Sequence, residues 1–261
     1  MNTSLQSLSC SLLPAYKEAV RVDWANTRLP EGQGGFAINP FDFYHSVSSV
    51  YSSRIEGVDI DMDSFIKHKF GNVSYLPDYT RKTDDLYAAY RFARQHPLSY
   101  ANAMEAHKLL GKHLLPPAAR GVLRRSPMFV VDEKERIAYV ACAPQEVEAE
   151  MAALFRDIGQ LLLAPMGMEE VFYYAAFIHL MFAKIHPVQD GNGRLARLIE
   201  KWFVASKLGQ DFWGMKSEKY YYTHLHEYHH HLAIVGLEFE KLDWGKSIPF
   251  LSLLPHSISF E

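Results

Sequence analysis

From Met168 onward, apolar residues at Val171, Phe172, Ala175, Phe182 and Ile185 follow the 3.6-residue spacing of a helix and run straight into His186. Beyond a polar stretch, Leu195, Leu198, Ile199, Trp202 and Phe203 fall at i, i+3, i+4, i+7 and i+8, the pattern of one buried helix face. The pattern predicts two core-packed helices joined by a polar loop, with Arg194 and Arg197 on one side of the second helix.

Most of the remaining periodicity is also helical. Asn39-Pro-Phe-Asp opens a segment to about Glu56, with Phe43, Val47, Val50, Tyr51 and Ile55 roughly on one face. Pro40 and Asp42 suit its first turn and Gly57 its end. A further helix is predicted from Thr83 to the Gln95-His-Pro break, and another from about Ser99 to Leu115, closed by Pro116 and Pro117. A long amphipathic helix is expected to start at Ala143-Pro-Gln-Glu. One stretch departs from this. Ser126 to Val131, a charged turn at 132–136, and Ile137 to Ala141 read as two short strands around a turn.

Composition narrows the class. With 48% hydrophobic residues in 261, a sizeable core can form. The 27 basic and 30 acidic residues give a net charge of −3, which argues against direct nucleic-acid binding. Cys10 and Cys142 lie far apart without CxxC spacing, so no disulfide framework or zinc knuckle is expected. Residues 1–13 make a poor signal peptide, and no apolar run reaches the roughly 18–20 residues of a membrane span. A soluble, cytoplasmic protein is the expectation, and the sequon at Asn72 is then read as chance.

The chemistry concentrates in the loop from His186 to Arg197, HPVQDGNGRLAR. Pro187 should end the first helix. Gly191 and Gly193 let successive N–H groups converge at the start of the second, a nest for phosphate oxygens. A helix terminus supplies only about 0.3–1 kcal/mol, up to about 2 when partly buried, so Arg194 and Arg197 must carry most of the charge. Asp190 is a hard oxygen ligand suited to Mg²⁺, and His186 is placed to act as a general base. The loop is neither a dinucleotide fingerprint nor a P-loop. Gly245-Lys246-Ser247 fails as the latter because Glu240 occupies the required upstream glycine position. A separate signal is the run His224, His226, His229, His230 and His231. His226 and His230, at i and i+4, could share a metal, but no HExxH pattern is present and a solvated helix with weak pH sensitivity is the plainer reading.

The loop resembles the Fic-family signature HPFx[D/E]GNGRxxR at every polar position, with Val188 where the family usually has Phe. Ser52-Ser-Arg-Ile-Glu56-Gly57 is similar to the family's inhibitory motif [S/T]xxxE[G/N]. The segment from Gly121 to Pro127 and the strand pair after it resemble its flap, and Lys219 to Leu225 and Ile248 to Phe250 its closing segments. The resemblance runs from about Pro40 to the C-terminus. It implies a mostly α fold, a helical bundle around a central helix–loop–helix with a short β-hairpin flap. Residues 1–100 would form an N-terminal helical region carrying an inhibitory helix at about 40–57. Residues 101–261 would form the catalytic core, with the flap at about 126–141.

The implied activity is transfer of AMP from ATP to a hydroxyl of a target protein, in the presence of Mg²⁺. His186 would deprotonate the target and Asp190 would hold the metal. Asn192 and the N–H groups of Gly191 and Gly193 would hold the α-phosphate, Arg194 the β- and γ-phosphates, and Arg197 the γ-phosphate. Gly193 sets the chain apart from the Doc branch. Tyr221 or Tyr222 would contact the base, and the target would pair with the flap near Met128 to Val131 by strand addition. The resemblance also accommodates self-labelling and a homo-oligomer. Alternatives are an AMP-removing hydrolase, a transferase of another nucleotide, and a non-catalytic nucleotide sensor.

Glu56, with Ser52 and Gly57, would be inhibitory by pairing with Arg197. A 100-fold block needs about 2.8 kcal/mol, whereas an exposed ion pair gives about 0–1 kcal/mol. The pair is therefore expected to be partly buried, or to exclude the γ-phosphate sterically.

Overall fold

The computed structural model describes residues 5–24, 39–131 and 135–258. The N-terminal segment is tied down by Asp157, whose carboxylate accepts the N–H groups of Gln6, Ser7 and Leu8, and it leads into α1, Leu13–Ala19. α2, Pro40–Ile55, starts under Asn39, whose side chain accepts the N–H of Phe41.

The apolar face expected for α2 is not the one it buries. Phe43 is exposed, and Val47 and Tyr51 are half-buried. The inward side is His45, Ser46, Ser48, Ser49, Ser52 and Ser53, together with Val50 and Ile55. The reason lies in what the helix faces: the ammonium of Lys201, the guanidinium of Arg197 and the hydroxyl of Thr83 all meet serine oxygens of α2. A buried cation needs a hydrogen-bond partner, and a small hydroxyl supplies it without forcing the helices apart.

α3, Met62–Phe70, is capped by Asp61 and packs Phe65 into a small cluster with Val50, Ile60 and Tyr87. α4, Pro77–Gln95, begins at Pro77 rather than Thr83, because Pro77 and Asp78 already suit a first turn. α5, Tyr100–Leu110, stops short of Leu115. Gly111 takes over, and Asp85 accepts the backbone N–H of His113 and meets its Nδ1, turning the chain aside.

The strands β1, Phe129–Val131, and β2, Ile137–Val140, pair antiparallel, with a register shift between Val130 and Val131. Residues 132–134 of the expected flap turn lie outside the described residues. The hairpin is anchored on one side, since Val140 N–H donates to Leu237 O at 2.8 Å. β1 is exposed throughout.

α6, Val147–Leu163, starts a few residues later than expected. α7, Met168–Ile185, follows, then α8, Asn192–Leu208, α9, Ser217–Thr223, α10, Leu225–Ala233, α11, Ile248–Leu251, and α12, Leu253–His256. α7 is the axis of the molecule. Past its first turn it is buried nearly all round, as befits a helix that is apolar on every face. α8 lies along it, and α1, α6, α11 and α12 surround it. α2 crosses α8 from outside, held between α4 and α9. One core cluster contains residues from both sides of the 100/101 boundary. No helix among the described residues is long and apolar enough to cross a membrane.

Candidate active site

α7 ends where Pro187 forbids another turn, and His186 closes it in the left-handed conformation, at φ 52° and ψ 56°. That conformation is costly for a residue with a Cβ, and Arg124 holds it in place. The Arg124 side chain donates from Nε to His186 O at 2.7 Å, from Nη2 to Ile185 O and Cys142 O, and from Nη1 to Ser126 O. Its backbone N–H donates to Pro187 O at 2.9 Å. A buried cation thus caps the carbonyl end of α7, where the helix dipole favours positive charge.

The imidazole of His186 meets Ala183 O through Nδ1 at 3.2 Å. A carbonyl only accepts, so Nδ1 carries the proton and Nε2 presents a lone pair. Burial depresses the pKa of His186 below the usual histidine range, with Arg124 adding to the effect and the Ala183 bond, Glu56 and Asp190 opposing it. The ring is therefore neutral at pH 7.

The loop is shaped from within and from below. Asn192 donates from Nδ2 to Val188 O and accepts Val188 N–H at Oδ1, so its amide clamps the loop on itself. Val188 is fully buried. His107, on α5, accepts the N–H of Gly121 at Nδ1, which leaves Nε2–H to donate to Asp190 O at 2.9 Å. Gly191 takes φ +86° as the cap of α8, and a Cβ there would stand 2.8 Å from Leu110 Cδ1. The first intrahelical bond of α8 runs from Leu195 N–H to Gly191 O, so the N–H groups of Asn192, Gly193 and Arg194 are free of helical partners. Arg194 is buried, and desolvation lowers its pKa. Asp190 is exposed; its Oδ1 accepts Gly191 N–H, and Oδ2 takes no hydrogen bond from the described residues.

Glu56 reaches this site from the end of α2, just before Gly57, which adopts φ +76°. Glu56 Oε1 accepts from Arg197 Nη2 at 2.6 Å, in a pair whose side chains are 29% and 1% exposed. It lies so close over the first turn of α8 that a Cβ on Gly193 would stand 2.5 Å from it. A side chain on Gly193 would require the acid to shift from this position. Desolvation pushes the Glu56 pKa up, but Arg197 and Arg194 outweigh it and hold the carboxyl below its ordinary range.

Ser52 supplies two further acceptors to Arg197, Oγ for Nε and O for Nη2. On the other side Arg197 Nη1 donates to the Tyr228 hydroxyl. The donors behind that bond are fixed in order. Glu200 accepts from the Tyr221 hydroxyl and from His179 Nδ1–H, so His179 Nε2 accepts from the Tyr228 hydroxyl, whose oxygen is left to receive Arg197. Arg197 thus has partners in Ser52 and Tyr228 besides Glu56.

The structure therefore gathers His186, Asp190, Gly191, Asn192, Gly193, Arg194 and Arg197 on one loop, and adds Ser52, Glu56 and Gly57 from α2. It does not bring Tyr221 to the site: that side chain is buried with its hydroxyl on Glu200. Tyr222, half-buried, lies against Tyr51, with the ring centroids 5.7 Å apart and the planes tilted by 51°. His226 and His230 lie ring to ring at 6.2 Å on α10. Arg124, His107 and Tyr228 were not read as site residues. Arg124 had a faint signal in its place in the flap-like segment, and the other two had none. A cleft of about 750 Å³ opens beside the loop, from Gln189 along Val122, Arg124 and Arg125 to Val147 and Glu148.

Comparison with known proteins agrees with this geometry. Residues 97–204 match the sequence profile of the Fic/DOC family. No curated protein matches the chain. Among solved structures, a Fic family protein from Desulfovibrio desulfuricans superposes with a TM-score of 0.70 at 18% identity, over 84% of this chain and 63% of that one. A Fic domain containing signaling protein from Bacteroides thetaiotaomicron gives 0.62 at 18%, over 95% and 94%. Fic-1 from C. elegans gives 0.61 at 17%, over 95% and 69%. The chain thus spans less than two thirds of the first of these relatives, and at such identities the likeness establishes the fold. Profile, fold and loop geometry together place a Fic/DOC family domain in this chain.

Proposed function

We propose that this protein is an adenylyltransferase that moves AMP from ATP onto a hydroxyl of a target protein, and that Glu56 holds it inactive. The observation that carries the reading is the 2.6 Å pairing of Glu56 with Arg197 directly over Gly193, on the same loop as a neutral His186.

In this reading Nε2 of His186 takes the proton of a target Ser, Thr or Tyr as its oxygen attacks the α-phosphorus. The bond to the bridging oxygen breaks and pyrophosphate leaves. The free N–H groups at the start of α8 stabilise the charge that grows on the α-phosphate. Arg194 binds the β- and γ-phosphates, and Arg197 the γ-phosphate. Asp190 fits Mg²⁺, because it offers an exposed carboxylate with one oxygen unengaged, and Mg²⁺ on a nucleotide needs only one or two protein carboxylates. That ion, when bound, would neutralise phosphate charge. The target strand would add to the outer edge of β1.

Glu56 and a γ-phosphate would compete for the same guanidinium. Because Arg197 is buried and separately held, exchanging its anion requires no movement of the arginine. The partial burial of the pair supports a block larger than an exposed ion pair could give.

The test is incorporation of label from α-labelled ATP with Mg²⁺. Glu56→Gly should raise protein labelling by about 10–100-fold, as expected for a lock worth about 1.4–2.8 kcal/mol. Adding His186→Ala should then remove at least the 10²-fold that a general base contributes. Equal labelling of wild type and Glu56→Gly would exclude the lock, and a fully active double variant would exclude His186 as base.

A further inference from the structure

The other end of α2 carries a feature that the transfer reaction does not use. A cavity of about 110 Å³ is lined by Asn39, Asp42, His45, Arg91, Arg94 and Gln95. His45 is 1% exposed, and neither of its ring nitrogens has a hydrogen-bond partner. The Nε of Arg94 is likewise buried and unpartnered. Its guanidinium carbon lies over the Phe41 ring, 3.6 Å from the centroid. Among the described residues neither Arg91 nor Arg94 makes an ion pair. Native proteins leave few buried polar groups unsatisfied, and here two residues that carry such groups line one small space.

The polarity of the lining selects an anion. Two guanidiniums face one carboxylate, and that carboxylate, Asp42, already accepts the Tyr87 hydroxyl at 2.8 Å. The cavity also sits at the N-terminus of a 16-residue helix. Asn39 takes the N–H of Phe41, and Pro40 has none, so the N–H of Asp42 has no intrahelical partner. Around His45 the other neighbours are Tyr87, Tyr90 and Trp213, whose rings lie 5.7–6.3 Å away, and Lys201, whose ammonium is spent on Glu218. The exposed positions of Arg91 and Gln95 leave a way in. The volume suits one tetrahedral oxyanion and excludes a nucleotide.

We propose that this cavity binds a small free oxyanion of phosphate or sulfate size, held by Arg91, Arg94 and His45 at the N-terminus of α2. Bound there, the ion ties α2 to α4 from the end opposite Glu56. Resting on the reading of Glu56 as inhibitor, its occupancy favours the locked state. In the empty site, burial and the cations Lys201, Arg94 and Arg91 keep His45 neutral, so a bound anion should draw a proton onto it.

The experiment is a titration of the full chain, labelled with ¹⁵N in its histidines, with sodium sulfate, orthophosphate or AMP at pH 6.5 and constant ionic strength set with sodium chloride. The His45 signals are identified by their loss in His45→Gln. Sulfate and phosphate are expected to shift them saturably toward the protonated position, with Kd in the millimolar range, and AMP to bind at least tenfold more weakly. Arg91→Gln and Arg94→Gln should each weaken sulfate at least tenfold, while melting in chloride alone stays near that of wild type. A response no different from chloride, undiminished binding in the arginine variants, or tighter binding of AMP than of phosphate would overturn the site. Because binding is read directly, failure here leaves the transferase reading intact, and a protein that never labels a target leaves the anion site standing.

Discussion

At its C-terminal end α2 offers Ser52 and Glu56 to Arg197, and the Nε, Nη1 and Nη2 of that guanidinium each find a partner. At its N-terminal end it offers His45 to a cluster with two arginines, and both ring nitrogens find none. The two ends belong to one helix and bury polar groups to a similar depth. A completed polar network specifies one geometry. Each group left unpaired in a buried site costs about 1–3 kcal/mol. The difference fits the two proposals: a closed contact at the C-terminal end, where Glu56 would act as a lock, and a ligand site at the N-terminal end.

Between them stands Lys201, the strongest way to break the comparison. Its ammonium, fully buried, bonds Ser48 of α2 at 2.7 Å and pairs with the equally buried Glu218 at 2.5 Å. Tyr90 holds the other carboxylate oxygen of Glu218. Lys201→Met strands that carboxylate and unfastens the middle of α2. Removing one partner of a buried pair costs about 3–5 kcal/mol. At about 2–4 °C per kcal/mol for a chain of 150–250 residues, the melting temperature should fall by about 6–20 °C. A fall under about 2 °C would show that the two ends are not joined through Lys201.

A smaller change sharpens the contrast at the finished end. Ser52→Ala leaves Arg197 Nε without its acceptor while keeping Glu56. The loss of about 1–3 kcal/mol is shared between the docking of α2 and the lock. Protein labelling should therefore rise by about fivefold, less than for Glu56→Gly. A rise equal to that of Glu56→Gly would mean that the acid acts only through the serine.

How much of this was legible in the sequence depends on how far each residue's partner lies along the chain. The loop was readable because its histidine, acid, glycines and arginines fall within twelve consecutive residues, and the Glu56–Arg197 contact was expected only because Ser52 to Gly57 resembles the family's inhibitory motif. The two core helices were readable because α7 and α8 keep a strict apolar period. The packed face of α2 was misassigned because hydropathy counts serine as outward, whereas here serine oxygens meet cations of α8. Nothing in the local pattern around Lys201 or Glu218 indicates that the two are buried together. Arg124 stands 62 positions from His186, and no local pattern announces a side chain that caps a distant helix. Tyr221 looked available because three tyrosines in a row do not reveal which one turns inward to Glu200.

The unfinished end has its own signature in pH. Burial, with Lys201, Arg94 and Arg91, lowers the pKa of His45 from 6.5 to about 3. A group depressed on folding is protonated in the unfolded chain first, so the unfolded state binds more protons between about pH 6.5 and 3, and stability falls as pH drops through that window. From pH 7 to 5.5 this amounts to about 1 kcal/mol. Urea unfolding at the two pH values should show a loss larger by about 1 kcal/mol in wild type than in His45→Gln. His107 and His186, also depressed, contribute to both proteins and cancel in the difference. The Glu56 carboxyl, held below its ordinary range, does not titrate in the interval. Sulfate then separates the two ends of α2: an anion in the cavity makes a protonated His45 tolerable, so the pH-dependent loss in wild type should shrink with sulfate while His45→Gln shows no such change. An unchanged loss would mean that the vacant nitrogens of His45 are a cost the fold simply bears, and the contrast between the two ends would lose its functional meaning.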